Sequence, residues 1–107
     1  MSLFLILLAA GDSKRLKTKF PKPYNIVNNK TLLEHSLSSF KDFNEIKKII
    51  LVFNKKHKKY INKLDLKNIT KIVGGKTRQS STYKALKIIK NKNCKKVLIH
   101  DAARPCP

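Results

Sequence analysis

Leu3-Phe4-Leu5-Ile6-Leu7-Leu8-Ala9 is an unbroken apolar run that stops just short of Gly11. A strand with one face in water alternates apolar and polar residues. A run without alternation needs cover on both faces, as in a parallel sheet flanked by helices. Residues 3–10 fall far short of the roughly 20 that span a bilayer, and the run lacks the preceding Lys or Arg of a secretory leader. It is read as a buried first strand, in a chain whose 107 residues allow one domain or part of one.

The remaining sequence alternates helix and strand patterns. A polar stretch after the first strand holds Pro21 and Pro23, which resist helix there. Thr31 and Glu34 have the form of a capping box, opening a helix whose Leu33, Leu37 and Phe40 share one face. Ile46–Phe53 is a second strand pattern, followed by a short Lys-rich helix around residues 57–64. Ile69–Val73 is a third strand ending at Gly74-Gly75. Residues 80–90 suit a helix with Tyr83, Leu86 and Ile89 at helical spacing, and residues 97–99 a fourth strand running into His100-Asp101. This order predicts an α/β fold, a doubly wound, mainly parallel sheet with right-handed crossovers, as part of a single domain over residues 1–107. Ligands of such sheets bind beyond the carboxyl ends of the strands.

A net charge of +19 points to anionic partners, either nucleic acid or phosphorylated small molecules. The lysines are spread along the whole chain, and Asn and Ile are also heavily used, so a codon bias accounts for much of the charge. Nucleic-acid binding calls for clustered basic residues around stacking aromatics. Scattered lysines, with Tyr24, Tyr60 and Tyr83 in different elements, argue against it. Cys94 and Cys106 form neither a CxxC nor a His–Cys metal spacing. Two isolated thiols suit a cytoplasmic protein without a membrane partner, and leave a disulfide open.

The scarce residues sit together. All three glycines (Gly11, Gly74, Gly75) and all three arginines (Arg15, Arg78, Arg104) fall in loops that follow strand patterns. A planar guanidinium makes bidentate contact with phosphate oxygens that Lys cannot reproduce, and glycine lets backbone approach a ligand closely. The topology would bring Arg15, Gly75, Arg78, Asp101 and Arg104 to one sheet edge as a phosphate-handling site. In the first loop, Ala9-Ala10-Gly11-Asp12-Ser13 offers backbone N–H groups to a triphosphate, with Arg15 and Lys22 adding charge. That loop is neither a P-loop nor a GxGxxG fingerprint, and alone reads equally well as a strand–turn with solvated lysines. In the second, Gly74, Gly75 and Lys76 with a Ser hydroxyl would line a base or ribose pocket, while Ser80 or Ser81 caps the helix. In the third, Asp101 beside Ala102 and Arg104 suits Mg²⁺ carried on a triphosphate. The competing reading is an Asp101–Arg104 ion pair; the scarcity of acidic residues favours the metal. His100 is expected to orient the loop, and His35 and His57 to lie on helix surfaces.

LLAAGDSKRLKTKFPKPY, VGGKTRQSS and VLIHDAARPCP, in this order and spacing, resemble the 2-C-methyl-D-erythritol 4-phosphate cytidylyltransferases of the non-mevalonate isoprenoid pathway. The HDAARPC stretch is specific to that family, whereas the AAG…R…PK loop is shared with wider nucleotidyltransferases. The likeness covers essentially the whole chain but only the family's N-terminal half. It implies a Rossmann-like fold of nucleotidyltransferase type, truncated here, and transfer of CMP from CTP to methylerythritol phosphate with release of pyrophosphate and help from Mg²⁺. Carried over by position, Arg15 and Lys22 would be catalytic, stabilising charge that develops on the α-phosphate. Ala9, Ala10, Gly11, Asp12, Ser13, Gly74, Gly75, Lys76, Ser81, Ala102 and Arg104 would bind nucleotide, and Asp101 the metal.

The family's C-terminal half supplies most of the acceptor site, a second metal carboxylate, another catalytic Lys and a dimer-forming arm, so a homodimer is expected of the full-length form. Ser13 replaces the family's usual second loop glycine, Pro23 a usual Gln, and Lys76 a commonly acidic residue. The alternatives are a cytidylyltransferase acting on another polyol or sugar phosphate such as ribitol 5-phosphate, a basic nucleic-acid-binding protein, and an inactive remnant that binds CTP. Ala103 and Cys106 favour the isoprenoid branch.

Overall fold

The computed structural model describes residues 3–10, 22–40, 43, 45–66, 68–90 and 96–102. Strand β1 (Leu3–Ala9) is followed by a small antiparallel hairpin, β2 (Ile26–Val27) and β3 (Lys30–Thr31), and then helix α1 (Leu32–Ser39). Next come β4 (Ile46–Phe53), the short α2 (Lys58–Ile61), β5 (Ile69–Val73), α3 (Arg78–Ile89) and β6 (Lys96–Asp101). The four long strands form one parallel sheet in the order β5-β4-β1-β6, the doubly wound arrangement that the sequence predicts.

The apolar run is covered on both faces. Leu5, Leu7 and Ala9 of β1 pack with Leu51, Phe53, Leu33, Phe40 and Ile61 on the α1–α2 side. Phe4, Ile6 and Leu8 pack with Ile50, Val52, Ala85 and Ile89 on the α3 side. The capping box of α1 forms as expected: the Glu34 N–H donates to Thr31 Oγ1 at 3.1 Å, and the Thr31 N–H to Glu34 Oε1 at 2.9 Å. The hairpin turns through Asn28 and Asn29, with φ of 52° and 69°, left-handed values that Asn tolerates well.

Several elements differ from the sequence reading. The fourth strand runs from Lys96 to Asp101, so Asp101 is a strand residue in register with Leu8. Residues 22–24, Lys22-Pro23-Tyr24, form a 3₁₀ turn, because proline's fixed φ suits such a turn as long as no interior N–H is needed. Another 3₁₀ turn (Lys55–His57), capped by Asn54, leads into α2, which is shorter than the expected 57–64 helix. Helix α3 buries Ser81, Ala85 and Ile89, whereas Tyr83 and Leu86 are exposed. The sheet beneath already presents Ile6, Leu8, Ile50 and Val52, and a helix settles closely on such bulk only through small residues. His57 is buried, not on a helix surface, and His35 is half-buried with its ring against the Val27 carbonyl.

Candidate functional site

Sheet order reverses between β1 and β6, so their carboxyl ends flank the crevice where open α/β sheets take ligands. Four hydrogen bonds hold this edge together. The Ala102 N–H donates to the Leu8 carbonyl at 2.9 Å, binding the end of β6 to β1. Ser36 of α1, fully buried, donates its hydroxyl to the Ala102 carbonyl at 2.9 Å. The Asn54 side-chain amide, just past β4, donates to the Ala10 carbonyl at 3.2 Å. The Gly74 N–H donates to the Phe53 carbonyl at 2.8 Å, drawing the end of β5 to β4.

Gly74 is where the first and second loops touch. A Cβ there would lie 2.5 Å from Ala10 Cβ, 2.8 Å from Ser81 Oγ and 3.0 Å from Val52 Cγ1. Only glycine permits β1, β4 and α3 to approach so closely at this point. The Gly75 N–H donates to Ser81 Oγ at 3.0 Å, and Ser81 is itself buried beneath it. Thr77 caps α3, not Ser80 or Ser81. The Ser80 N–H donates to Thr77 Oγ1 and the Thr77 N–H to Ser80 Oγ, each at 3.0 Å. Ser81 is thereby free of the capping role and serves the glycine turn.

The third loop joins through charge. Arg78, the first residue of α3, places Nε 3.5 Å from Asp101 Oδ1, with the arginine well exposed and the carboxylate about a third exposed. Asp101 therefore pairs with Arg78; Arg104, the partner in the competing ion-pair reading, lies outside the described residues. A surface pair of this kind contributes at most about 1 kcal/mol, so it yields readily to a stronger ligand. Among the described residues no group of three or more His, Cys, Asp or Glu side chains stands ready to hold a metal. One carboxylate still fits Mg²⁺, which commonly takes one or two protein carboxylates and completes its shell with water and substrate phosphate. His100 sets its ring edge-on to Phe40, 5.1 Å between centroids.

The structure thus brings together Ala9, Ala10, Gly74, Gly75, Lys76, Ser81, Asp101 and Ala102 at the carboxyl edge. Ala9 and Ala102 are buried, so they shape that edge from beneath. Lys22 is described for its backbone alone, in the 3₁₀ turn. Gly11, Asp12, Ser13 and Arg15 lie outside the described residues, as does Arg104. Sequence reasoning missed Asn54 and Ser36, whose side chains hold the Ala10 and Ala102 carbonyls, and Thr77, which caps α3. Asn54 carried a signal, an Asn directly after a strand pattern and before a helical one.

Strand order and edge site define an α/β protein of the nucleotidyltransferase type. A family model for 2-C-methyl-D-erythritol 4-phosphate cytidylyltransferase (IspD) matches residues 3–107, and the chain belongs to that family. It is 55% identical over 105 residues to a bifunctional IspD/IspF enzyme of Pelagibacter ubique, covering 98% of this chain and 28% of that protein. It is 44% identical to the cytidylyltransferase of Wigglesworthia glossinidia brevipalpis, covering 97% of this chain and 45% of that one. Among solved structures, the bifunctional IspDF of Campylobacter jejuni superposes with a TM-score of 0.77 at 32% identity, over 95% of this chain and 26% of that one. The Francisella tularensis cytidylyltransferase gives 0.73 at 31% identity, over 99% and 46%. The chain spans less than half the length of these relatives.

Proposed function

We propose that this chain carries the CTP-binding part of a methylerythritol phosphate cytidylyltransferase, an enzyme that transfers CMP from CTP to the acceptor phosphate and releases pyrophosphate. The observation that carries the reading is the convergence of Ala10, the Gly74-Gly75 turn and Asp101 at the crevice between β1 and β6. Family membership supports CTP and methylerythritol phosphate as the substrates.

The chain's own residues can perform defined parts of such a transfer. The glycine turn, held by Ser81 Oγ, gives base and ribose a close backbone wall. Lys22, with Arg15, would stabilise the negative charge that builds on the α-phosphate as the acceptor oxygen attacks and the pyrophosphate oxygen departs. No protein nucleophile is required, since phosphoryl-type transfers are accelerated mainly by positioning and electrostatics. Asp101 would hold Mg²⁺, which supplies neutralisation of triphosphate charge, and Arg78 would then be released towards phosphate oxygens. A cytoplasmic location and a homodimer of the longer form belong to the same reading. Among the described residues, no helix is long and apolar enough to cross a membrane.

The test is calorimetric titration of the chain with CTP, ATP and a short DNA duplex, with and without Mg²⁺ at moderate salt. The reading expects selective, Mg²⁺-strengthened CTP binding. Salt-sensitive binding to all three alike would mean that the +19 charge, not the loops, selects the ligand.

A further inference from the structure

Tyr24 closes the Lys22–Tyr24 turn, and only 3% of its surface is exposed. Its ring stacks on Tyr60 of α2, with centroids 5.2 Å apart and planes 18° apart, and meets His57 edge-on at 5.7 Å. His57 and Tyr60 are themselves 6.1 Å apart, so the three rings close on one another. Tyr24 also belongs to the core cluster that holds Ala9, Phe53 and Ala102, directly beneath the carboxyl edge.

Residues 54–60 grip two parts of the site at once. Asn54 holds the Ala10 carbonyl of the first loop, and within the next six residues His57 and Tyr60 hold Tyr24. Between Tyr24 and Lys22 stands only Pro23, buried and fixed in φ. With so few free torsions between them, anchoring the tyrosine ring fixes the point from which the lysine side chain departs. That point matters because a lysine is a point charge on a flexible stem.

We propose that the Tyr24–His57–Tyr60 cluster is the positioning device for Lys22, registering its turn against the first loop through the shared 54–60 segment. The inference rests on the CTP-binding reading above. Tyr24 acts through Lys22 and is a positioning residue. The hydroxyl takes no part, so a phenylalanine ring should serve as well.

Site-resolved amine acylation read by mass spectrometry tests this on the intact chain, with and without CTP and Mg²⁺. In the parent protein CTP should slow acylation of Lys22 several-fold. Tyr24→Phe should keep that protection. Tyr24→Leu should lose most of it, while CTP affinity and the protection of Lys76 stay within about threefold, a shift of under about 0.7 kcal/mol. A merely structural role would weaken affinity and every protection together, and that result would overturn the proposal. So would full Lys22 protection in Tyr24→Leu. Should Tyr24→Leu fail to fold, Tyr60→Ala at the half-buried partner removes the stack while leaving Tyr24 in place, and is read by the same criteria. No Lys22 protection in the parent chain, despite CTP binding, would overturn the proposal and leave the binding reading standing. No CTP binding at all would overturn both.

Discussion

The two faces of the sheet are closed by different means. On the α1–α2 side, Leu5, Leu7, Leu51 and Phe53 interlock with Leu33, Phe40, Tyr24 and Ile61, all buried. On the α3 side, Phe4, Ile6, Leu8, Ile50 and Val52 meet a helix that buries only Ser81, Ala85 and Ile89, while Tyr83, Leu86, Val97 and Ile99 remain exposed. The first face is filled by volume and the second is held by closeness. Small residues let α3 descend until its first turn reaches the Gly74-Gly75 turn through Ser81 and Asp101 through Arg78. Stability should therefore reside mainly in the first face, and the geometry of the site in the second.

The largest effect should come from Leu33→Ala, which opens a cavity in the filled face and should cost about 2–5 kcal/mol in urea unfolding. A loss under about 1 kcal/mol would show that this face is not where stability resides. Gly74→Ala should cost less stability, about 1–3 kcal/mol from overpacking against Ala10 and Ser81. Its loss of CTP affinity in calorimetry should exceed that of Leu33→Ala measured on folded protein. Thr77→Ala removes the cap of α3 and should lower stability by about 1 kcal/mol, read in thermal melts.

Tyr24→Phe should be neutral or stabilising by up to about 1 kcal/mol, because the buried hydroxyl has no hydrogen-bond partner among the described residues. It should also change the alkaline limb of the stability profile. Burial pushes the Tyr24 phenol well above its ordinary value of 10.0. Below that value both states keep the proton and the contribution is complete. Above it the unfolded chain ionises first, binds fewer protons than the folded one, and stability falls with rising pH. Tyr24→Phe should flatten that fall; identical slopes would remove the assignment. Leu86→Ala, on the exposed flank of α3, should change stability by no more than about 0.5 kcal/mol.

Local signals were the legible ones. The unbroken run of β1 demanded a sheet covered on both faces, and Thr31 with Glu34 made its capping box within one turn. Around residue 77 the same logic failed. Thr77, Ser80, Ser81 and Thr82 are all capable caps, and only the path of the chain out of Gly75 selects Thr77. The buried face of α3 is not legible from its own residues: Tyr83, Leu86 and Ile89 stand at helical spacing, yet Ser81 and Ala85 go inside with Ile89. The bulk of the opposing sheet decides that choice, and no window on the helix contains it. Likewise no local window contains the stacking of Tyr24 on Tyr60, which do lie in separate elements, or the pairing of Asp101 with Arg78 from the preceding helix. The three-loop site was visible as a list of scarce residues; the bonds of Ser36 and Asn54 that hold its edge span 66 and 44 positions and left only a faint mark in the sequence.

The central claim is that three loops converge into one nucleotide site, and backbone amide chemical shifts during CTP titration with Mg²⁺ test it most directly. The account predicts that Ala10, Gly74, Gly75, Asp101 and Ala102 shift together along one saturating curve, with the Asn28-Asn29 hairpin turn unmoved. Small shifts scattered over the lysine-rich surface, without saturation at these five amides, would contradict it.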